Sequence, residues 1–325
     1  MQTKQRVLIV GGCGYVGSRL YDVLTEHRFY PDSVDLEWFG NHSGILNDQK
    51  DYAHMEPSEF AVYDAIVLLA GHTSVKMSGD GLSTMRNNVD NFVSLLDRLS
   101  SLPHPPKVIY SSSSSVYGNS KSKQVKESDD KFVPNNFYDL SKHEIDLYAT
   151  MYNSIGKLQI YGLRFGTING WSKNLRVDVM INAMFSSAIT NKHINLFNPQ
   201  VHRPILGIED LCKAVVTILH QGTRENVGLY NLASFTSTSE EIAKRVSKAL
   251  DNTTVMLRAA ERFETSDLNI KLQTMAYDFS MDTTKFQHAF NFKFKDTIES
   301  IVNGLKEGEH TVVKTYRNQM IVYPP

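Results

Sequence analysis

Residues 6–10 (RVLIV) form a short run of strand type, apolar from Val7 to Val10, followed by glycines and then by a segment, 18–27, that reads as helix. Similar runs recur at 65–70 (AIVLLA), 107–110 (KVIY) and 158–165, and residues 33–35 end another strand. Between them, 82–99 carries apolar residues at helical spacing and 139–152 predicts a further helix. Runs without polar alternation are what strands buried on both faces require. Strands alternating with helices predict an α/β fold built on a doubly wound parallel sheet. After Gly170 the order loosens. A helix is expected at 177–190 and loop with short strand at 194–203. Residues 229–232 return to the main sheet, and a helix follows at 239–250, capped by the Ser/Thr cluster 236–239. No internal repeat is present.

The glycines after the first run are spaced GxxGxxG: Gly11, Gly14 and Gly17, with Tyr15 and Val16 between the last two. Placed between a strand and a helix, such a loop lets the backbone approach a pyrophosphate, and the helix N-terminus offers it free N–H groups. A dinucleotide site also needs a carboxylate about 20 residues on for the adenosine ribose. Asp35 lies 24 residues after Gly11, and no arginine stands between residues 36 and 41 to receive a 2′-phosphate. The pattern predicts a Rossmann-type site for NAD rather than NADP. Cys13 reads as a small filler in the loop, where alkylation would block the cofactor.

Tyr138 and Lys142 form a YxxxK pair, which a helix places on one face. A phenol of ordinary pKa near 10 is a poor base at neutral pH; a neighbouring ammonium favours the phenolate. The pair predicts a proton acceptor for an alcohol under oxidation, or a donor for a ketone under reduction. The serine run 111–115 follows a strand, at the sheet edge where ligands bind in open α/β folds.

Taken together, the chain resembles the extended short-chain dehydrogenases, in particular the nucleotide-sugar epimerase/dehydratase family. The resemblance rests on the glycine loop, Asp35, LLAGHTSV (68–75), NNV (87–89), SSSSSVYG (111–118), YDLSK (138–142), LRFGTING (163–170), RPILGIEDL (203–211) and YNLAS (230–234). It implies Ser113 as the catalytic serine, beside Tyr138 as acid/base and Lys142, which also binds the nicotinamide ribose. Leu69, Ala70, Gly71 and Asn87 or Asn88 are expected along the cofactor. His72 and Ser114 are expected on the substrate side of the same loops. Where the family often holds an asparagine for the substrate diphosphate, this chain has Thr167; Asn182, Arg203 and, more weakly, Arg176 are the resemblance's other diphosphate candidates. In the segment that touches adenine the best match is GILND, with Ile45 in the family's aspartate position and Asp48 as a substitute.

The resemblance also narrows the reaction. Dehydratases carry an Asp-Glu pair after the catalytic serine; Ser114 and Ser115 stand here, without the carboxylate that elimination of water needs. Reversible oxidation at one sugar carbon remains: C4 epimerisation through a 4-keto sugar, or 4-keto reduction without turnover of the sugar. A non-catalytic NAD-binding regulator is the rival from another class. The implied partner is a nucleoside-diphosphate sugar. Helices 82–99 and 139–152 are expected to pair in a homodimer.

Composition adds exclusions. A formal net charge of −1 with scattered basic residues argues against nucleic acid. The 11 histidines show no metal-ligand spacing, and two cysteines give no disulfide framework. No apolar stretch is long enough for a bilayer, and a cytoplasmic protein is expected. Residues 1–170, with 204–234 returning to them, are assigned to NAD binding. Residues 171–203 and 235–325 form a smaller C-terminal α/β substrate-binding unit, and YRNQMIVYPP (316–325) reads as a surface tail. Trp38 and Trp171 read as packing residues, Trp171 close to the sugar.

Overall fold

The computed structural model describes residues 4–75, 77–118, 120, 123–129, 132, 134–258 and 277–308. The expected tail at 316–325 lies outside them. The main sheet has seven strands: β1 (Arg6–Val10), β2 (Tyr30–Val34), β3 (Asn47–Asp48), β4 (Ala65–Leu68), β5 (Lys107–Ser113), β7 (Ile160–Phe165) and β11 (Gly228–Leu232). Their spatial order is β11-β7-β5-β4-β1-β2-β3, and every pairing is parallel. The order reverses between β1 and β4, which defines the switch point at the carboxyl edge.

Alternation along β1 explains the double winding. Val7 and Ile9 enter a core with Leu20, Val23 and Leu24 of the helix Tyr15–Glu26 and with the helix Ile208–Gln221. Leu8 and Val10 face the opposite core, which holds Phe92, Leu95 and Leu96 of the helix Asn91–Ser100 and Ile145 and Ala149 of the helix Phe137–Ile155. Both faces are sealed, so the strand reads as continuous apolar sequence. Each fully buried aliphatic side chain contributes roughly 1.5–3 kcal/mol.

Smaller sheets complete the fold: β8 (Thr167–Asn169), β10 (His202–Gly207) and β12 (Phe235–Thr238); β9 (His193–Leu196) with β13 (Thr254–Leu257); and β6 (Gln124–Val125) with β14 (Ser280–Met281). A third core joins Ile181 and Phe185 of the helix Met180–Asn191 to Ile242 and Val246 of the helix Ser239–Ala249 and to Ile298 and Val302 of the helix Ile298–Glu307. Pro204–Gly207, expected with the returning segment, sits in the β12-β10-β8 sheet rather than the main one. The helix expected over 82–99 runs as Gly81–Met85 and Asn91–Ser100 around a π-helical turn at Arg86–Asp90. Among the described residues, no helix is long and apolar enough to cross a membrane.

One buried polar hub joins the helix Phe137–Ile155 to the sheet. Asp146, 1% exposed, accepts from the Tyr110 hydroxyl at 2.7 Å and from Arg164 Nε at 2.8 Å. Arg164 Nη1 donates to the Tyr117 hydroxyl, which donates to Asn231 Oδ1. Breaking one member of a buried pair leaves the other charge uncompensated. Arg164→Met is therefore expected to cost about 3–5 kcal/mol, measured as a lower urea midpoint with native secondary structure retained before the transition.

Candidate active site

A cavity of about 1060 Å³ opens along the carboxyl edge of the main sheet, over the switch point. Its floor is the glycine loop. A Cβ on Gly17 would lie 2.1 Å from the Gly11 carbonyl oxygen, and one on Gly11, at φ +92°, would lie 2.8 Å from Ala70 N. Glycine at these positions thus lets helix, loop and the end of β4 pack backbone against backbone, leaving the loop and the helix N-terminus open as a cradle for a pyrophosphate. Gly11, Gly14, Tyr15, Val16 and Gly17 line the cavity, as do Leu69, Ala70 and Gly71 from the end of β4.

Asp35 follows β2 and faces the cavity. Its carboxylate accepts from Cys13 N at 3.0 Å and Glu37 N at 2.7 Å. Burial raises its pKa, against the pull of those backbone donors. Cys13 itself is buried, and burial together with Asp35 pushes its thiol up to about 11.

The adenosine end departs from expectation. Ile45 is buried and Asp48 sits on edge strand β3, paired with Lys50 at 2.7 Å; neither lines the cavity. Asp51 and Tyr52 line it instead, placed by a turn at Tyr52–His54 that Asp51 caps by accepting from Ala53 N. Arg98 gathers the carbonyls of Tyr52, Ala53 and Met55 behind that turn. No spacing along the chain announces this, because Arg98 arrives from a distant helix. Trp38, read as packing, also lines the cavity, with Phe39 and His42.

The two asparagines separate. Asn87, on the π-helical turn, lines the cavity, and its buried Oδ1 has no hydrogen-bond partner. Such an acceptor beside the cradle suits a bound donor group. Asn88 lies behind the wall: it accepts from His72 N and donates to His72 O and Ser141 Oγ. His72 is buried with it, beside Thr84 Oγ1, and does not line the cavity.

The residues expected to react come together along the cavity. The serine run is no linker: 111–113 complete β5, and Ser114–Tyr117 form a 3-10 turn. Ser113 and Ser114 line the cavity with Tyr138 and Lys142. Asn136 caps the helix Phe137–Ile155 by accepting from Asp139 N, which puts Tyr138 in the first turn, two residues earlier than the expected helix start. Lys142 Nζ donates to Ser111 O at 2.7 Å and lies 5.9 Å from the Tyr138 ring centroid.

Burial acts on both members of the pair. It raises the Tyr138 pKa, opposed by the Ser113 hydrogen bond and the positive field of Arg176. It lowers the Lys142 ammonium to about 8, against the Asp146 carboxylate. The phenol is therefore held above its ordinary value, not below it as the sequence suggested. For the phenol, desolvation exceeds the pull of Ser113 and Arg176.

On the substrate side Thr167, Arg176 and Arg203 line the cavity. Arg176 forks onto Asp178 at 2.6 and 3.1 Å. Arg203 donates to Tyr277 O, and burial lowers its pKa. Asn182 does not reach the cavity. It is fully buried, accepts from Gly170 N and donates to the Tyr15 hydroxyl and the carbonyls of Gly170 and Arg176, so it builds the wall and holds no diphosphate. Trp171, Asn174, Tyr277 and Phe279 line the cavity without having been anticipated as ligand residues, apart from the proximity noted for Trp171.

A dinucleotide cradle at a switch point, with Ser, Tyr and Lys converging beyond it, defines an NAD-dependent enzyme of the extended short-chain dehydrogenase class. The profile of the NAD dependent epimerase/dehydratase family matches residues 7–233, and the chain belongs to that family. It is similar to Protein CapI of Staphylococcus aureus, 26% identical over 241 residues that cover 68% of this chain and 71% of that protein. UDP-glucuronate 4-epimerase 4 of Arabidopsis thaliana is 26% identical over 238 residues, 66% of this chain. The match spans 53% of that plant protein, about half its length. The solved UDP-glucuronic acid 4-epimerase of Bacillus cereus, in complex with UDP-glucuronic acid and NAD, has the same fold. Its TM-score is 0.78 at 18% identity, over 96% of this chain and 99% of that one.

Two measurements check this geometry. With its thiol near 11 and buried, Cys13 is expected to resist iodoacetamide at pH 7.5 in the native protein and to label fully in urea, read by mass spectrometry. Lys142 titrates near 8, so its charge is largely present at pH 7 and is lost above pH 8. Lys142→Met removes that titrating group. Potentiometric titration of the native protein is expected to release about one proton fewer per chain between pH 7 and 9 than wild type.

Proposed function

We propose that the chain is an NAD-dependent C4 epimerase of a UDP-linked hexuronic acid. One observation carries the reading: Arg176, paired with Asp178, stands in the cavity with its field reaching the Tyr138 hydroxyl. A carboxylate on the sugar can exchange with Asp178 on the guanidinium fork, with charge-assisted bonds of the same geometry. Several similar proteins are UDP-glucuronate 4-epimerases. The absence of an acid at positions 114 and 115 speaks against dehydration.

In this reading Tyr138 takes the proton of the C4 hydroxyl while Ser113 donates a hydrogen bond to the same oxygen. NAD, bound over the glycine loop, supplies reversible hydride acceptance. Asp35 holds the adenosine ribose and repels a 2′-phosphate. Lys142 binds the nicotinamide ribose, Asn87 flanks the cofactor, and Thr167 and Arg203 take the diphosphate. The 4-keto sugar turns in the cavity before Tyr138 returns its proton. The division into a cofactor unit (1–170 with 204–234) and a substrate unit belongs to the same proposal. So does a homodimer through the catalytic helix, where Leu147, Met151 and Ile155 form an exposed stripe at i, i+4 and i+8.

The test is turnover on UDP-glucuronate, UDP-glucose and their C4 epimers, with products separated and nicotinamide absorbance followed. UDP-glucuronate is expected to give its C4 epimer with no net NADH change. Arg176→Leu is expected to raise KM for the uronate at least tenfold and to spare the neutral sugar. Stoichiometric NADH formation would make the chain a dehydrogenase, and equal KM effects on both sugars would remove Arg176 from carboxylate recognition.

A further inference from the structure

The segment after β8 crosses from the substrate side back to the cofactor loop, and its attachments are of two kinds. Three tie it to the helix Tyr15–Glu26. The Tyr15 hydroxyl donates to Gly170 O at 2.8 Å, the Ser18 and Ser172 hydroxyls bond at 2.7 Å, and Lys173 pairs with Asp22 at 2.9 Å. Asn174 differs. Its Nδ2 donates to Cys13 O in the glycine loop at 2.7 Å and to Gly40 O, in the loop after β2, at 3.2 Å. One amide nitrogen, with its two hydrogens, thereby joins three walls of the cavity.

Besides Asn174, Cys13 joins the same two walls: its N–H donates to Asp35 at 3.0 Å and its Sγ lies 3.9 Å from Glu37 Oε1, both at the near end of the loop. Beyond β2 the sheet continues only as β3, two residues long. The loop between them carries Trp38 and Phe39, 36% and 45% exposed, although both line the cavity. Its own ties run mainly through Glu37 and Asn41: Asn47 and Asn41 donate to Glu37 Oε1, and Asn41 also donates to Ile45 O. A loop with few buried apolar contacts opens at little cost.

We propose that Asn174 is a clasp that keeps NAD in its channel between turnovers. The carbonyls it binds belong to the glycine loop and to the loop bearing Trp38 and Phe39, and these two flank the cradle where a pyrophosphate fits. Separating them opens the channel at the cofactor's middle. Retention matters for the chemistry: an enzyme that takes hydride from a sugar and gives it back to the same sugar fails whenever the reduced cofactor leaves first. Asn174 is thus a positioning residue, acting on the cofactor through backbone walls. The inference rests on the cofactor site and not on the identity of the sugar.

The experiment loads the full chain with NADH, adds excess NAD, and follows the loss of bound-NADH fluorescence in stopped flow. Asn174→Asp keeps the shape and removes the donor; Asn174→Ala removes both. Ser172→Ala loosens the same segment at its helix attachment. Thermal midpoints are recorded for each. Both Asn174 variants are expected to release NADH roughly ten- to thirtyfold faster, as two lost hydrogen bonds imply, with Ser172→Ala within about twofold of wild type. Wild-type release from the Asn174 variants, or equal acceleration by Ser172→Ala, would overturn the clasp. No sugar enters the assay, so failure of the epimerase reading would leave this result standing, and the converse holds for the turnover panel.

Discussion

Among the described glycines, the tightest approach to backbone is at Gly17, and it organises the rest. The helix Tyr15–Glu26 can start where it does only because position 17 has no Cβ: one placed there would meet Gly11 O at 2.1 Å and Gly12 Cα at 2.7 Å. That approach seats the helix on the glycine loop and aims its free N–H groups into the cavity. It fixes Tyr15, whose hydroxyl reaches Gly170 O and Asn182 and so orients the segment leading to Arg176. A contact between glycines of the first strand's exit thus governs where the substrate-side cation stands.

A second constraint is dielectric. Burial acts on Tyr138 and Lys142, and the same loss of solvent acts on the charges packed near them. It lifts Tyr138 and lowers Lys142. The Asp146–Arg164 pair resolves its own desolvation by mutual pairing and by two tyrosine hydroxyls. That hub lies one turn beyond Lys142 on the same face of the helix Phe137–Ile155, since Tyr138, Lys142 and Asp146 follow at i, i+4 and i+8. The helix is therefore anchored to the sheet just past the cavity, and Tyr138 and Lys142 line the cavity itself.

Much of this was legible in the sequence, for physical reasons. Strands buried on both faces show as unbroken apolar runs, so β1, β4, β5 and β7 were readable within a few residues. The glycine spacing, Asp35 and the YxxxK pair are local patterns, and all reach the cavity. What escaped reading depends on partners far along the chain. Asn182 resembles a ligand residue until Tyr15 and Gly170 are seen to occupy it. Asp51 and Tyr52 were hidden because Arg98, from another helix, shapes their turn. His72 and Asn88 bind each other across 16 positions, a pairing no periodicity encodes.

The π-helical turn at Arg86–Asp90 shows how one helix serves two surfaces. Each residue advances an α-helix by about 100°, so an apolar stripe that fits the sheet along Phe92, Leu95, Leu96 and Leu99 dictates the phase of everything before it. A single wide turn breaks that dictation. The helix that packs on the sheet and the turn that carries Asn87 to the cavity keep independent phases, and neighbouring asparagines fall on opposite sides of one wall. Insertion or deletion of one residue there would be absorbed by the core and felt by the cofactor. The turn is a place where the lineage can re-aim its cavity without repacking its interior.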